Sequence, residues 1–211
     1  MVGVVGSSPI APTNFSFFSA TKVYREAMFT LSLHGEESTQ ALLQSGHSYC
    51  LIVRSESQRA ALLKNLGEQP GVVIVPHNGG LISNLRVWEN IILPVQYHGI
   101  LLPGNLEDRV SELLDQCGLS DQTMVSALML KLPDQLSLYE KRLAGFVRAM
   151  LMGPQLILYD GLTEGLSRKE LDKANRFDQV FRLHYPFRTS VQVSFEEDRD
   201  TSNPDQLVIH L

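Results

Sequence analysis

The stretch LPDQLSLYEKRLAGFVRAMLMGPQLILYDGLTEGLS, residues Leu132–Ser167, decides the fold class. Its first half predicts an amphipathic helix, because apolar residues recur at the spacing i, i+3, i+4, i+7 and i+8. These residues are Leu143, Phe146, Val147, Met150 and Leu151. The run LILYD follows and ends at Asp160, which is typical of a strand in a parallel sheet that is covered on both faces. A helix followed by such a strand indicates a layered α/β domain.

The same alternation of short apolar strands and helices extends over the rest of the chain. Further strands are predicted at Phe29–Gly35, Ser48–Val53, Gly71–Val75, Thr189–Phe195 and Leu207–Leu211. Helices are predicted in SQRAALLKNLG, which Gly67 ends, in RVWENIIL, which stops before Pro94, in LEDRVSELLDQCGL, which Gly118 ends, and over roughly 168–184. The pattern predicts a mostly parallel sheet flanked by helices.

Composition narrows the function classes. The chain has 211 residues, of which 44% are hydrophobic and 19% charged, as in an ordinary globular domain. Its net charge of -5 argues against a general binder of nucleic acid or of an anionic membrane surface. No apolar run approaches the roughly 20 residues of a transmembrane helix. The two cysteines, Cys50 and Cys117, lie far apart in apolar contexts, which favours buried thiols over a disulfide.

Residues 1–27 differ from the rest of the chain. They carry no charge before Lys22, and prolines interrupt their apolar part, so a signal peptide is not predicted. The segment Gly6–Pro9 reads Gly-Ser-Ser-Pro, which is also the in-frame translation of a transfer-RNA T-arm. One hypothesis therefore places the true start at Met28, and the other retains residues 1–27 as a genuine disordered extension. On either hypothesis a single domain covers 28–211.

Three segments together resemble the nucleotide-binding domain of ABC transporters. GLISNLRVWENIILPVQYHG (Gly80–Gly99) is similar to the segment after the Q-loop, and LPDQLSLYEKRLAGFVRAMLMGPQLILYD is similar to the signature helix and the Walker B strand. VQVSFEED lies where the family has its switch strand, and the resemblance covers most of Gly46–Leu211. It implies a P-loop NTPase-like ABC ATPase domain with an antiparallel edge and a small helical subdomain at roughly 80–150.

The segment that matches the phosphate-binding P-loop is VRSESQRAALL, Val53–Leu63, and it contains no glycine. A P-loop needs glycines so that successive backbone N–H groups converge on phosphate. Glu56 brings a carboxylate to this position, and Ala60 and Ala61 replace the hydroxyl residues that hold Mg²⁺. Arg59 matches the P-loop lysine and is either a weak nucleotide contact or a surface cation on the following helix.

Three further positions depart from the family pattern. His77 matches the Q-loop glutamine and is either a relic of that role or a solvated turn residue. Gly161 stands where the glutamate that polarises the attacking water belongs, and Glu164, a turn further on, does not simply substitute for it. Phe195 matches the switch histidine but cannot hydrogen-bond a γ-phosphate. No catalytic residue is therefore assigned.

Two functional positions keep the family residue type. Ser137 matches the signature serine, although Leu138 and Tyr139 replace the two glycines after it, and the tyrosine is expected to crowd an approaching phosphate. Asp160 matches the aspartate that holds Mg²⁺ through water. The alternatives are that Ser137 only caps a helix and that Asp160 only caps the turn after its strand. With Arg59, they are the nucleotide-binding candidates, and Asp160 is the metal candidate.

The resemblance also implies partners. In the family, the segment after the Q-loop receives a helix of a transmembrane permease, and Trp88, Ile91 and Ile92 are the candidate docking residues, unless they belong to the core. A homodimer, or a heterodimer with another ABC ATPase subunit, is implied, as is a peripheral position on the cytoplasmic face of the plasma membrane. The segment VWENIILPVQYHG is most similar to the corresponding segment in subunits of lipid or organic-solvent transport systems.

The combined losses predict a catalytically inactive ABC ATP-binding-subunit homologue that docks on a permease. ATP and Mg²⁺ are the ligands that the family implies, and the missing phosphate loop and general base argue against both. Two alternatives stay open. One is a slow but active ATPase subunit, and the other is the product of a decaying gene without a stable role.

Overall fold

A computed structural model describes residues 29–33, 39–100, 102, 104–196 and 206–211. The hypotheses about residues 1–27 and about a start at Met28 concern a segment outside these ranges. The described strands are β1 Phe29–Leu33, β2 Thr39–Leu43, β3 Ser48–Val53, β4 Val72–Val75, β5 Leu156–Asp160, β6 Thr189–Phe195 and β7 Leu207–His210. The described helices are α1 Glu56–Gly67, α2 Val87–Tyr97, α3 Leu106–Gln116, α4 Gln122–Leu130, α5 Leu138–Leu151, α6 Arg168–Ala174 and α7 Arg176–His184.

The main sheet has five strands in the order β4-β5-β6-β3-β7, and every neighbouring pair is parallel. β1 and β2 form a separate antiparallel pair, with Phe29 opposite Leu43. The predicted fold class, a mostly parallel sheet flanked by helices with an antiparallel edge, is confirmed. In a parallel sheet all carboxyl ends meet at one edge, so the residues that follow β3, β4, β5 and β6 come together there.

Two hydrophobic cores cover the two faces of the sheet. One face packs against α1 and the β1–β2 pair, where Leu62 and Leu66 are fully buried. The other face packs against α2–α7, and there Phe146 stacks on Phe177 with 4.7 Å between ring centroids. All residues of the predicted apolar face of α5 are at most 2% exposed: Leu143, Phe146, Val147, Met150 and Leu151.

Helix α2 does not stop before Pro94, as the sequence predicted, but continues to Tyr97. A proline inside a helix removes one hydrogen bond and costs about 3 kcal/mol. Here the helix buries Ile91, Ile92 and Val95 in the core, and this packing outweighs the cost.

Two further helical predictions need correction. The polar helix expected over roughly 168–184 is two helices, α6 and α7, which meet at Asn175. Helix α4 was not predicted at all. Its start is fixed by Asp121, whose carboxylate accepts hydrogen bonds from the backbone N–H groups of Thr123 and Met124.

Both cysteines are buried, as the sequence predicted. Burial raises the pKa of the Cys117 thiol to about 12, because the low-polarity surroundings disfavour the thiolate. The thiol is therefore protonated at neutral pH and acts as a small apolar core residue.

One buried amide fixes the segment between β4 and α2. The Asn90 side chain, 1% exposed, accepts a hydrogen bond from the backbone N–H of Ile82 at 2.7 Å. Its amide nitrogen lies within 3.1 Å of the carbonyl oxygens of Ile82, Leu85 and Arg86. The carbonyls of Ile82 and Arg86 also accept from the N–H groups of Leu85 and Asn90, so the amide adds to backbone hydrogen bonds that already hold this segment.

We expect Asn90→Ala to lower the free energy of unfolding by about 1–3 kcal/mol, because it removes a buried side chain together with its hydrogen bonds to the Ile82 N–H and the Leu85 carbonyl. Gln96→Ala, at an exposed position on the same helix, is the control and should change stability by less than about 0.5 kcal/mol. Chemical denaturation measures both. Equal effects for the two variants would contradict the role given to Asn90.

Candidate functional site

The carboxyl-terminal edge of the sheet brings together the residues that match the family's catalytic positions. Arg59 follows β3, His77 follows β4, Asp160 ends β5 and Phe195 ends β6. This edge is where parallel α/β sheets bind their ligands, so the candidate residues lie where a ligand site is expected.

The segment that matches the P-loop is the capped start of a helix. Arg54 and Ser55 are the only residues between β3 and α1. The hydroxyl Oγ of Ser55 accepts from the N–H of Gln58 at 3.2 Å, and the N–H of Arg54 donates to Gln58 Oε1 at 2.7 Å. The N–H of Arg59 donates to the Ser55 carbonyl at 3.0 Å. These N–H groups are therefore used within the segment and do not converge on an anion.

The interpretation of Arg59 as a surface cation is wrong. The residue is only 6% exposed, and its Nε donates to Asp160 Oδ1 at 2.6 Å. Its Nη1 and Nη2 both lie 3.1 Å from Oε2 of Glu164. The guanidinium thus bridges two carboxylates, one at the end of β5 and one in the turn after it.

The two carboxylates stabilise the charge on Arg59. Burial alone disfavours the charged guanidinium, but the hydrogen bond and negative charge of Asp160 outweigh it, with a smaller contribution from Glu164. The net effect raises the pKa of Arg59 above its usual value, so the arginine is positively charged at neutral pH.

Phe195 and His77, which also differ from the residues of the family pattern, lie next to the same cluster. The Arg59 guanidinium carbon lies 5.4 Å from the centroid of the Phe195 ring, a cation–π geometry. Nδ1 of His77 lies 3.5 Å from Asp160 Oδ2, although 57% of the imidazole side chain is exposed to solvent. The phenylalanine at the switch position thus covers the arginine at the P-loop position.

A second buried arginine supports the site and was not predicted. Arg142 on α5 is 1% exposed and donates from Nε to the His77 carbonyl at 2.6 Å and from Nη1 to the Leu162 carbonyl at 2.9 Å. Burial lowers its pKa, while the nearby charge of Glu164 opposes that shift. The signal in the sequence is its position four residues before Phe146, on the buried face of the helix.

Gly161, which matches the catalytic glutamate, has no room for a side chain. Its φ is +60°, a conformation that favours glycine. A Cβ built at this position would contact Nη2 of Arg59 and would lie 2.5 Å from Glu164 Oε2. The ion pair between Arg59 and Glu164 therefore occupies the space that a glutamate at position 161 would need.

The residues at this edge do not fit magnesium with a nucleotide phosphate. The metal-ligand position, Asp160, is engaged by a fixed positive charge, which repels a second cation. Among the described residues, no group of three or more His, Cys, Asp or Glu side chains is arranged to hold a metal ion. The adjoining cavity of about 300 Å³ is lined by three carboxylates, those of Glu56, Asp160 and Glu164, which repel phosphate.

The signature position has a structural role. Ser137 caps α5: its Oγ accepts from the N–H of Glu140 at 3.1 Å, and its own N–H donates to Glu140 Oε2 at 2.8 Å. The expectation that Tyr139 crowds an approaching phosphate is wrong. The tyrosine is 9% exposed and turns into the core, where its ring centroid lies 5.9 Å from that of Phe177.

The three candidate docking residues are in different environments. Ile91 and Ile92 lie in the core, at 0% and 9% exposure, because they face inward on α2. Trp88 is half-buried and lines a groove of about 720 Å³ between α2, α3 and α4. The groove also contains apolar side chains from α4, among them Val125 and Met129.

Comparison with known proteins identifies relatives of this chain. It is 34% identical over 107 residues to "Methionine import ATP-binding protein MetN 1" of Pseudomonas fluorescens and 33% identical over 107 residues to the protein of that name in Pseudomonas putida. Each match covers 51% of this chain and 30% of the relative. Over about half of its length the chain is thus similar in sequence to proteins named as methionine import ATP-binding proteins, and the match spans less than a third of their length. No family model matches the chain.

Solved structures of ABC proteins share the fold. CbiO1 of Clostridium perfringens, part of the ABC transporter complex cbiONQ, superposes with a TM-score of 0.61 at 13% identity, over 80% of this chain and 78% of that protein. A putative metal-chelate type ABC transporter in an inward-facing conformation also gives 0.61, at 16% identity, over 80% and 73%. Within the described ranges, no helix combines the length and the apolar character that crossing a membrane requires.

We expect Gly161→Ala to lower the free energy of unfolding by at least about 2 kcal/mol, because the new methyl group would displace the Arg59–Glu164 pair as well as strain the backbone. Gly99→Ala is a matched control: Gly99 has the same φ of +60°, but a Cβ there meets no atom of the described residues within 4 Å. The control should therefore cost only the backbone strain, about 1 kcal/mol. Denaturation that shows equal costs would contradict the crowding at Gly161.

Proposed function

We propose that the protein is a catalytically inactive homologue of ABC ATP-binding subunits that docks on a transmembrane permease. The observation that carries the proposal is the 2.6 Å contact between Arg59 Nε and Asp160 Oδ1, which places a fixed cation where an active subunit needs Mg²⁺. ATP and Mg²⁺ are then not cofactors of this chain, although its relatives are named as ATP-binding proteins.

The absence of groups that position phosphate and activate water supports the proposal that the protein does not hydrolyse ATP. Phosphoryl transfer depends almost entirely on positioning and charge stabilisation, and single components are worth orders of magnitude in rate. Here the phosphate-cradling N–H groups are used by the helix cap, and position 161 has no carboxylate. The cavity beside Arg59 has three carboxylates against one guanidinium, and this excess of negative charge opposes a bound triphosphate.

The proposed direction of transport is inferred from the names of the relatives. Their printed names concern methionine import, which supports a role in an importer-type system. The lipid or organic-solvent role stays a prediction from the wording VWENIILPVQYHG. A partner ATPase subunit, in a homodimer or a heterodimer, would leave the site on this chain without turnover, and the Ser137 face would lie toward the partner.

The groove beside Trp88 is the proposed docking surface for the permease. Its lining combines apolar side chains, among them Trp88, with polar ones. It also carries the carboxylates of Glu89, Glu107 and Asp108 against the single cation of Arg86. Charge complementarity favours a short helix of a cytoplasmic permease loop that combines an apolar anchor with lysine or arginine side chains. The protein would then be held at the inner face of the plasma membrane as a peripheral subunit.

We expect the purified full-length protein to show no saturable Mg²⁺-ATP binding at millimolar nucleotide and no phosphate release above a no-protein blank. The physical reason is that Asp160, the candidate metal ligand, is paired with Arg59, and that the guanidinium also engages Glu164. Isothermal titration calorimetry and a phosphate-release assay measure the two quantities.

The same assays discriminate between the alternatives. Magnesium-dependent turnover that Asp160→Ala abolishes would establish a slow ATPase and overturn the proposal. Absence of the protein from the cells that carry its gene would favour a decaying gene product.

We expect Trp88→Ala to reduce by about tenfold the fraction of the protein that co-purifies with the membrane, because the substitution removes a large anchor from the groove. Glu107→Lys should have a similar effect by reversing charge in the lining. Tyr97→Ala, which removes an 82% exposed aromatic residue from the same helix outside the groove, is the control and should bind as the unsubstituted protein does. Equal retention of all three variants would contradict the assignment of the groove.

A further inference from the structure

Two buried arginines meet on one turn of the chain. Arg59 contacts Asp160 before this turn and Glu164 at its end, while Arg142 donates to the Leu162 carbonyl in the middle. The turn, residues 161–164, joins β5 to the segment that leads into α6. It is therefore held from α1 on one side and from α5 on the other.

We propose that Arg59 is an intramolecular ligand that clamps this edge of the sheet in one conformation, so that the conformation does not depend on nucleotide. Under the proposed function the protein does not bind nucleotide. The clamp is a separate claim, namely that the contacts of Arg59 fix the conformation of this edge. The inference rests on the geometry of Arg59 and can fail even where the protein is inactive.

The guanidinium of Arg59 binds two carboxylates at once. Nε binds the carboxylate at the end of β5, and Nη1 and Nη2 share the carboxylate of Glu164. A planar guanidinium fixes its partners in angle as well as in distance, which a point charge such as lysine cannot do. The start of α1 is thus tied in a defined orientation to both ends of the turn.

Arg142 extends the clamp to the loop after β4. Its Nε donates to the His77 carbonyl at 2.6 Å, and His77 in turn lies 3.5 Å from Asp160 through Nδ1. The loop after β4, the turn after β5 and the start of α1 are therefore joined through two arginines. Phe195 covers Arg59 from the end of β6, so the carboxyl ends of β3, β4, β5 and β6 are all included.

The hydrogen bonds of the Glu164 carboxylate come from Arg59. One carboxylate oxygen, Oε1, is buried and has no hydrogen-bond partner among the described residues, while Oε2 takes both contacts from Arg59. Removing the arginine would leave this carboxylate partly buried without a partner, which the turn can relieve only by moving. Gly161 shows that the turn is shaped around the pair, because a Cβ at this position would contact both members.

Hydrogen exchange on the full-length Arg59→Met variant tests the clamp. Methionine keeps much of the apolar volume and removes both contacts. The amides of Gly161 and Glu164 are hydrogen-bonded in the intact site, to the carbonyls of Val193 and Gly161, and serve as reporters. We expect their protection to fall by at least about a hundredfold, while amides of α3 and α4 keep theirs.

Two controls keep the test decisive. Lys64→Met removes a cation from an exposed position on the same helix and should leave the exchange of residues 161–164 unchanged. If Arg59→Met does not fold, Glu164→Gln is measured in its place, since it weakens only one side of the fork and should loosen the same turn. In the unsubstituted protein, millimolar Mg²⁺-ATP should leave the protection of these amides unchanged.

Unchanged protection in both Arg59→Met and Glu164→Gln would overturn the clamp, whatever the protein does with nucleotide. Protection that rises when Mg²⁺-ATP is added would overturn it as well, because the conformation would then depend on the ligand. Binding of nucleotide without any change in exchange would contradict only the proposed function and would leave the clamp standing.

Discussion

A single contact, from Arg59 Nε to Asp160 Oδ1 at 2.6 Å, determines the chemistry of this edge of the sheet. Because the arginine is buried, it needs carboxylate partners, and Asp160 and Glu164 supply them. Because the ends of both side chains lie beside Gly161, a Cβ at that position would displace them. The residues that match the P-loop lysine, the catalytic glutamate and the metal ligand, namely Arg59, Gly161 and Asp160, are therefore parts of one arrangement.

The fold and the site respond to different constraints. The sheet is maintained by two cores of apolar side chains, which need only the right pattern and volume. Catalysis needs particular groups at particular distances, and those groups have changed here. The chain can consequently share the fold of ABC proteins at 13% to 16% identity while its residues at the site carry different interactions. The close fit among Arg59, Gly161 and Glu164 is the feature least expected of a decaying gene.

Elements whose apolar residues recur at regular spacing were predicted correctly from the sequence. The buried strand LILYD and the apolar face of α5 follow from local patterns, and both are present. Prediction failed where tertiary contacts decide. Packing of Ile91 and Val95 carries α2 through Pro94, and Arg59 is buried by partners 101 and 105 residues away. No local pattern reveals such a partner, so the arginine had the appearance of a surface residue on a helix.

Nuclear magnetic resonance of the Arg59 side chain tests the central claim most directly. Buried Nε–H groups that are hydrogen-bonded to carboxylates exchange slowly with water. The account predicts that the Arg59 Nε–H resonance is observed at neutral pH, is lost in Asp160→Asn/Glu164→Gln, and does not move when Mg²⁺-ATP is added in millimolar excess. A resonance that shifts or broadens on addition of Mg²⁺-ATP would show that the arginine gives way to nucleotide, and would contradict the account.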